Sequence, residues 1–327
     1  MATTEPTIAA LEEGSLAPAG AGVAVEGRTP SQLFWLRFRQ DRVAQGAGIF
    51  IILLIVLALA APLIADRISH HQPNQIFLDH LDETGLPEGP TGQFWFGVDE
   101  SGRDVFVRAL YGLRTSLIIA VFATSIAMVI GVVLGVMAGY FGGWVDTVIS
   151  RSIDVVLSLP LLLFAIGLAA ACSVSLEGCL GGTIKPGLGL VIFIIAAFSW
   201  TYIARIIRGL VLSIREREFV EASRSLGASS MRIMFRDVLP NLWAPIIIYS
   251  TLIVPQNILF EAYLSFLGLG VPQTVPSWGR MISDATDVYT FAWWLMLFPG
   301  LFLFATTLAF NLLGDGLRDA LDPRTGR

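Results

Sequence analysis

The sequence predicts an all-α integral membrane protein with six transmembrane helices. Of its 327 residues, 54% are hydrophobic and only 14% are charged, and the mean hydropathy is +0.70. This composition lies well away from that of ordinary soluble domains. The charged residues are also segregated along the chain, so that long stretches contain none. Together these observations indicate a protein that is embedded in a bilayer.

Six windows contain no Asp, Glu, Lys or Arg. They are Ala47–Ala65, Thr115–Val145, Val155–Leu176, Pro186–Ala204, Val238–Phe260 and Val288–Gly314. Each reaches the roughly 17–25 residues that a helix needs to cross about 30 Å of hydrocarbon. Because one charge at a helix centre costs about 2.5–3.5 kcal/mol on insertion scales, charge-free runs of this length mark membrane spans. We predict one transmembrane helix for each window.

The distribution of basic residues predicts the orientation. If the N-terminus is inside, cytosolic segments hold 15 of the 21 Lys and Arg residues, and outer segments hold the other six. This bias follows the positive-inside rule and places both termini in the cytosol. The net charge of −5 leaves no basic stripe beyond these loop arginines, which argues against nucleic acid as a partner.

The N-terminal region divides into two parts. Residues 1–30 are rich in Ala, Gly, Glu, Thr and Pro without periodicity, which predicts a disordered cytosolic tail. Residues 31–45 place Leu33, Phe34 and Phe38 on one face, which predicts an amphipathic helix lying on the inner membrane surface. The transmembrane domain then occupies residues 46–327, with a first outer loop at 66–114 and a long cytosolic loop at 205–240.

The cytosolic loop has the pattern of two short helices around a glycine turn. Acidic residues precede Arg224, Gly227 stands where a helix commonly ends in the left-handed conformation, and Ser229 or Ser230 can cap a second helix. Such a shape is suited to insertion into a groove on another protein. An ordinary loop with solvated charges would have the same spacing, so spacing alone leaves both interpretations open.

This loop resembles the EAA loop of ABC importer permeases, which carries a Glu-Ala-Ala triplet, a following glycine and a later Leu-Pro. The matching residues are Glu221, Ala222, Gly227, Leu239 and Pro240, whereas Ser223 replaces the second alanine and Asp237 stands where an apolar residue is usual. The resemblance implies that a partner ATPase docks on Glu221, Ala222, Ser223, Arg224, Ser225, Gly227 and Ala228, and that Leu239 and Pro240 end the loop.

Three further segments resemble the second permease of the dipeptide and oligopeptide type. They are Phe96–Leu117, Glu261–Ile282 and Phe310–Arg324. With the EAA loop, the similarity covers most of residues 31–327. It implies the ABC importer type I permease fold in the bacterial cytoplasmic (inner) membrane. It also implies four kinds of partner, namely the lipid bilayer, a second homologous permease subunit, two ABC ATPase subunits and an extracytoplasmic solute-binding protein.

The chain has no nucleotide-binding motif of its own. Its only lysine is Lys185 in an outer loop, so a GxxxxGK[ST] phosphate-binding loop is absent from the sequence. We therefore expect no cofactor on this chain, with ATP and Mg bound by the partner ATPases. An ion-coupled secondary transporter is the rival hypothesis, but it would require internal repeats and charges at the window centres. The resemblance implies a subunit of an ATP-driven importer that translocates dipeptides or oligopeptides by alternating access, and the alternative cargoes are nickel complexes and sugars.

A few residues in or near the spans stand out. Gly131, Gly135 and Gly139 have the spacing of a close helix-packing face. Asn257 and Glu261 are candidates for the transport pathway or a gate, because polar groups in a span should face protein or water. Glu261 could contact the amino terminus of a substrate or hydrogen-bond the stretch at 264–276, and we favour the structural role.

The outer loops contain both cysteines and all three histidines. Cys172 and Cys179 lie at or beside the second outer connection, which predicts a disulfide between them. His70, His71 and His80 lie in the first outer loop, where histidines are usually solvated, and we predict no metal site. In the same loop, Asp104 and Arg108 have the spacing of a helical ion pair.

Overall fold

A computed structural model describes residues 30–83, 85–174 and 187–321 of the chain. The long helices are α2 (Arg42–Ile64), α3 (Val105–Phe141), α6 (Leu188–Ile214), α9 (Trp243–Phe266) and α11 (Trp294–Leu321). The short helices are α1 (Pro30–Phe38), α4 (Gly143–Ser158), α5 (Leu161–Val174), α7 (Glu218–Ser225), α8 (Ser230–Ile233) and α10 (Trp278–Asp284). Over these ranges the extended pairings are two isolated bridges, Leu81–Pro87 and Val98–Asp104. The predicted all-α class is confirmed.

Five helical stretches in the described ranges are each long and apolar enough to cross a bilayer. They are Arg42–Ser69, Val105–Phe141, Leu188–Ile214, Ser230–Phe266 and Trp294–Leu321. The pair α4 and α5 meets the same criteria when the two helices are taken together. This pair corresponds to the third predicted window, so all six predicted spans have a counterpart.

The third span is not the single helix that was predicted over Val155–Leu176. The chain bends by 83° between α4 and α5, and Leu159 has an extended conformation with φ −78° and ψ 132°. Pro160 explains the break, because it has no N–H for the helix and its ring pushes the preceding residue out of the α region. The charge count could not detect this, since a broken and a straight span can share one composition.

Three predicted boundaries also shift. α1 ends at Phe38, so the surface helix is shorter than the predicted 31–45. Asp41 caps α2 by accepting hydrogen bonds from the backbone N–H groups of Val43 and Ala44. α3 begins at Val105 and shortens the first outer loop, and α6 continues to Ile214 and shortens the cytosolic loop. Apart from Pro30, the predicted tail lies outside the described residues.

The central contact of the bundle joins α3 to α6. A Cβ atom on Gly131 would lie 2.7 Å from Ile203 Cβ, and one on Gly135 would lie 2.8 Å from the carbonyl oxygen of Ala204. One on Gly139 would lie 2.7 Å from Val211 Cβ. All three distances are shorter than real Cβ contacts allow, so the packing of the two helices depends on glycine at these positions. The three glycines do form a packing face.

The first and last long helices pack against each other at the cytosolic end of the bundle. A Cβ on Gly316 in α11 would lie 2.2 Å from Ala44 Cβ in α2. Further along the same pair, a Cβ on Gly48 of α2 would lie 3.6 Å from Leu313 Cδ1 of α11. Ile51, Leu54 and Ala58 of α2 continue this contact into a buried cluster with α3, α9 and α11.

The outer connections form a compact layer, which we call the outer cap (residues 70–104 and 267–293). Asn74 Nδ2 donates to the carbonyl oxygen of Thr274 at 2.8 Å, which joins the two parts of the cap. Trp278 is fully buried, and its Nε1 donates to the carbonyl oxygen of Ala109 on α3 at 3.1 Å. These bonds attach the cap to the outer ends of the helices.

The glycine contact predicts the effect of a larger side chain. We expect Gly135→Val to lower the free energy of unfolding by about 1–3 kcal/mol, because added methyl groups have no room between α3 and α6. Gly209→Ala is the matched control, since a Cβ at Gly209 meets nothing within 4 Å. The melting temperature of the detergent-solubilised protein measures both. Equal melting temperatures for the two variants would contradict this packing.

Candidate functional site

The cytosolic loop folds into a helix with a well-defined stop. In α7, Glu218 and Glu221 lie in the first turn and Arg224 in the last, an arrangement that complements the helix dipole. The Gly227 N–H donates to Arg224 O and the Ala228 N–H donates to Ser223 O, which together form a Schellman motif. Gly227 has a φ of +79°, so it adopts the left-handed conformation that the sequence predicted.

The segment after the glycine continues directly into a membrane span. Ser229 caps α8 by accepting a hydrogen bond from the backbone N–H of Arg232 at 3.4 Å. One π turn over Met234–Val238 and one 3₁₀ turn over Leu239–Leu242 then lead into α9. Leu239 is half-buried and Pro240 is exposed in the second turn. We call residues 215–240 the coupling segment.

The coupling segment is anchored in the core of the bundle. Val220 of α7 and Val238 are fully buried, and Ile233 of α8 is nearly so. They share one hydrophobic cluster with residues of α3 and α6, among them Val136 and Val211. Because interiors are close-packed, a displacement of α7 must be transmitted to these two helices.

The opposite face of the coupling segment is exposed. Its exposed residues are Glu221, Ala222, Arg224, Ser225, Leu226 and Gly227, whereas Ser223 and Ala228 are half-buried. Leu226 is 89% exposed, and Met231 and Phe235 are each 63% exposed. The motif comparison missed these apolar residues. The sequence signal that could have found Leu226 is a leucine placed directly before the glycine, at the end of a charged helix.

Two polar residues of α9 are buried among other helices. Asn257 is 4% exposed, and its Nδ2 donates to Thr124 Oγ1 of α3 at 2.8 Å. Its Oδ1 accepts a hydrogen bond from Ser199 Oγ of α6 at 3.0 Å. The amide of Asn257 therefore joins three helices, and its burial leaves little of it accessible to a substrate.

Glu261 lies one turn further out and is completely buried. Its carboxylate accepts hydrogen bonds from Ser116 Oγ of α3 and from Ser265 Oγ, each at 2.7 Å, and it also bonds the side chain of Ser277. Ser265 and Ser277 lie at the two ends of the stretch that returns after α9. This geometry supports the structural role for Glu261 rather than contact with a substrate.

The outer cap contains a second polar network. His71 is buried and its Nδ1 lies 2.6 Å from Asp104 Oδ2, while Oδ1 of Asp104 caps α3. Arg108 pairs with Asp99 at 3.4 Å. The expected Asp104–Arg108 pair and the expected solvation of His71 are therefore wrong, because Asp104 is itself the helix cap.

An acidic pocket of about 400 Å³ opens on the outer cap. Asp99, Glu100, Asp284 and Asp287 contribute carboxylates to its wall, with Arg103 beside them. Burial, followed by the charges of Asp284, Asp287 and Asp99, raises the pKa of Glu100 above its ordinary value. The pocket therefore presents negative charge to the outer solution.

Two further predictions concern cysteine and metal. Cys172 is buried beside α6, in a cluster with Leu190 and Ile194. Cys179 lies outside the described residues, so the predicted disulfide stays a prediction. Within the described ranges no group of three or more His, Cys, Asp or Glu is arranged to hold a metal ion. His80 pairs with Glu88.

Comparison with known families identifies the chain. The model of the binding-protein-dependent transport system inner membrane component matches residues 131–327. The chain belongs to this family of ABC importer permeases. The N-terminal transmembrane domain of oligopeptide transport permease C matches residues 29–86, which confirms the dipeptide and oligopeptide type. As a permease of this family, the protein resides in the bacterial inner membrane.

Curated relatives extend this similarity over nearly the whole permease. The glutathione transport system permease protein GsiD of Escherichia coli O6:K15:H31 (strain 536 / UPEC) is 42% identical over 297 residues, which covers 91% of each chain. GsiD of Shigella flexneri serotype 5b (strain 8401) is 43% identical over 297 residues with the same coverage.

A solved structure supports the fold. The permease resembles a chain of the MetNI methionine ABC transporter in its inward-facing conformations, with a TM-score of 0.53 and 19% sequence identity. The match covers 67% of this chain and 96% of that chain. At this identity the similarity concerns the fold alone, and it confirms the predicted importer permease fold.

Removing the Glu261 carboxylate should destabilise the permease. We expect Glu261→Ala to lower the free energy of unfolding by about 1.5–3 kcal/mol, because buried serine hydroxyls lose their acceptor. Glu261→Gln keeps one acceptor oxygen and should lose less. Melting temperatures in detergent compare the two variants. A melting temperature of Glu261→Ala equal to that of the unmodified protein would contradict this role.

The raised pKa of Glu100 predicts a small pH dependence. The folded state holds the Glu100 proton to a higher pH than the unfolded state does. Its stabilising contribution is therefore complete below the unfolded pKa and is lost as the pH rises through the folded pKa. Glu100→Gln should match the unmodified protein in melting temperature near pH 4.5 and exceed it slightly at pH 7.5. A lower melting temperature for Glu100→Gln than for the unmodified protein at pH 7.5 would contradict the repulsion between Glu100 and the neighbouring carboxylates.

Proposed function

We propose that this chain is one of two homologous permease subunits in an importer for peptides. Two separate ABC ATPases bind ATP and Mg and supply the energy, and an extracytoplasmic solute-binding protein delivers the cargo. The observation that carries this proposal is the coupling segment, which has one face buried in the bundle and the other exposed. To transmit movement from a partner, the segment must contact the partner on its exposed face and the bundle on its buried face.

The exposed face of the coupling segment has the chemistry of a docking helix. It combines Glu221, Arg224 and the apolar side chain of Leu226, which is 89% exposed. Helices that insert into grooves commonly use a few apolar anchors with a polar rim. We assign Leu226 as an apolar anchor toward the partner ATPase and the neighbouring charges as its rim.

Work would pass from the ATPase to the membrane through α7. Val220 and Ile233 are packed against α3 and α6, so closure of the ATPases would move these helices together with α7. Such a movement would turn the pathway between inward-facing and outward-facing states by alternating access. In this mechanism the nucleotide binds to the partner ATPases, because the permease sequence has no phosphate-binding lysine motif.

The proposed cargo is a short peptide of the glutathione class. This choice rests on the two GsiD relatives, whose similarity spans 91% of this chain. The outer cap would receive the solute-binding protein, because its hydrogen-bonded connections present a preformed surface at the outer end of the bundle.

Reconstitution tests the proposal directly. The complete transporter, with its solute-binding protein, is placed in liposomes and supplied with ATP. We expect ATP-dependent uptake of glutathione or dipeptides that vanadate abolishes. Nickel complexes and a disaccharide serve as competing cargoes. Uptake without ATPase subunits would overturn the importer mechanism, and uptake of nickel or sugar without peptide would overturn the proposed cargo.

A charged residue at Leu226 should uncouple the transporter. We expect Leu226→Asp to reduce ATP-dependent uptake at least about tenfold, because a change at a central interface anchor commonly costs roughly 2 kcal/mol or more. Leu226→Met is the matched control, since it keeps an apolar side chain of similar volume at the same exposed position. Uptake by membrane vesicles, normalised to the amount of assembled protein, measures both. Equal uptake by the two variants would rule out docking at Leu226.

A further inference from the structure

A cavity lies midway along two membrane-spanning helices. Its volume is about 310 Å³, and its wall is formed by α6, α9 and the junction of α4 with α5. The wall includes Ser199, Tyr202, Gln256, Phe260, Leu159 and Leu161. Because Tyr202 and Gln256 both fall within charge-free windows that are predicted to span the membrane, the cavity lies within the hydrocarbon region. We call it the midmembrane cavity.

Two polar side chains on this wall are exposed at that depth. Tyr202 is 49% exposed, and Gln256 is also exposed. Neither the Tyr202 hydroxyl nor the Gln256 amide has a hydrogen-bond partner among the described residues. Hydrocarbon would leave these groups unsatisfied at a cost of several kcal/mol. The cavity wall is therefore not a surface that faces lipid.

The helix break at the same wall supports this conclusion independently. The backbone leaves helical geometry at Leu159, and α5 resumes at Leu161 on the other side of Pro160. Non-helical backbone at membrane depth is tolerated only where it is buried in protein or lines a water-filled cavity. Ser158, Leu159, Pro160 and Leu161 are all exposed in this chain, so the break is not buried in it.

The wall has a definite chemical character. Its residues include no Asp, Glu, Lys, Arg or His. Asn257 is buried and uses its amide to hold Ser199 and Thr124, so Gln256 and Tyr202 are the exposed polar groups of the wall. A glutamine amide offers both a donor and an acceptor, which matches the N–H and C=O of a peptide bond.

Charged side chains flank the wall at both ends. Glu261, which follows Phe260 of the wall, is buried against serine hydroxyls. Arg205, one turn beyond Tyr202 on α6, pairs with Asp154 of α4 at 2.7 Å. The charges of Arg205 and Asp154 therefore compensate each other. The charged termini of a peptide would therefore find no opposite charge in the wall itself.

From these observations we infer that the midmembrane cavity binds the neutral backbone of the cargo peptide during its passage, with Gln256 and Tyr202 as the contacting residues. The inference rests on the proposed peptide cargo and deepens it. Recognition of the peptide bond, rather than of side chains or terminal charges, would let one pathway carry peptides of varied sequence.

Thiol labelling tests whether water fills the cavity. A charged methanethiosulfonate reagent reacts with thiolates, which form in water and not in hydrocarbon. We expect Leu161→Cys, on the cavity wall, to react in inverted membrane vesicles at least about tenfold faster than Val129→Cys, and S-methylglutathione to slow the reaction. Val129 is 65% exposed near the middle of α3, outside the cavity wall. The parent chain with Cys172 and Cys179 gives the background.

Protection by peptide tests the contact itself. We expect Tyr202→Phe to raise the peptide concentration for half-maximal protection of Leu161→Cys roughly two- to tenfold, the effect of one lost hydrogen bond. Tyr263→Phe is the control, because Tyr263 is exposed on α9 outside the cavity. If labelling of Leu161→Cys and Val129→Cys is equal, or if protection is equal in the two tyrosine variants, the inference is overturned even though the unmodified transporter takes up peptide. Failure of the unmodified transporter to take up any peptide would overturn the proposed function instead, and the peptide assignment of the cavity with it.

Discussion

The contact between α3 and α6, made at three glycines, constrains the position of everything in the inner half of the molecule. Gly131, Gly135 and Gly139 let the backbones approach so closely that neither helix can slide or rotate without a clash. The coupling segment packs on this rigid pair through Val220 and Ile233. This packing joins the cytosolic coupling segment to the helices of the membrane core.

Most of the fold could be predicted from the sequence because the bilayer imposes a simple requirement. A charge-free run of sufficient length must span, and five of the six windows correspond to continuous helices. The exception depends on Pro160, whose effect on direction is a matter of backbone geometry and not of composition. Boundaries were less predictable, since α3 and α6 carry their arginines beyond the hydrocarbon while remaining helical.

The site was only partly predictable. The motif located the glycine turn of the coupling segment, because a left-handed residue at a helix end has a strong sequence preference. It could not reveal Leu226, since exposure depends on how α7 is oriented against the bundle. Asn257 and Glu261 were correctly selected as unusual, but spacing could not show that serines and a threonine from other helices satisfy both. The adjacent Gln256 gave no signal until its surroundings were known.

The polar residues of the spans separate into two groups by whether their hydrogen bonds are complete. Glu261 and Asn257 are buried and bonded to neighbouring helices, so they hold the bundle together. Gln256 and Tyr202 are exposed without such bonds, which is why the inferred cargo contact falls on them. Polar groups of the spans that lack hydrogen-bond partners therefore indicate a surface that binds a ligand, whereas fully bonded groups indicate a structural role.

The packing of α2 against α11 has a consequence for biosynthesis. These helices are the earliest and latest spans to emerge from the ribosome, yet they pack so closely that a Cβ on Gly316 would clash with Ala44 Cβ. Contacts between distant parts of a chain form late, because the intervening segments must be ordered first. Part of the packing face of α2 therefore stays uncovered in the bilayer until α11 has been inserted. Quality control by membrane chaperones or proteases would act most strongly during that interval.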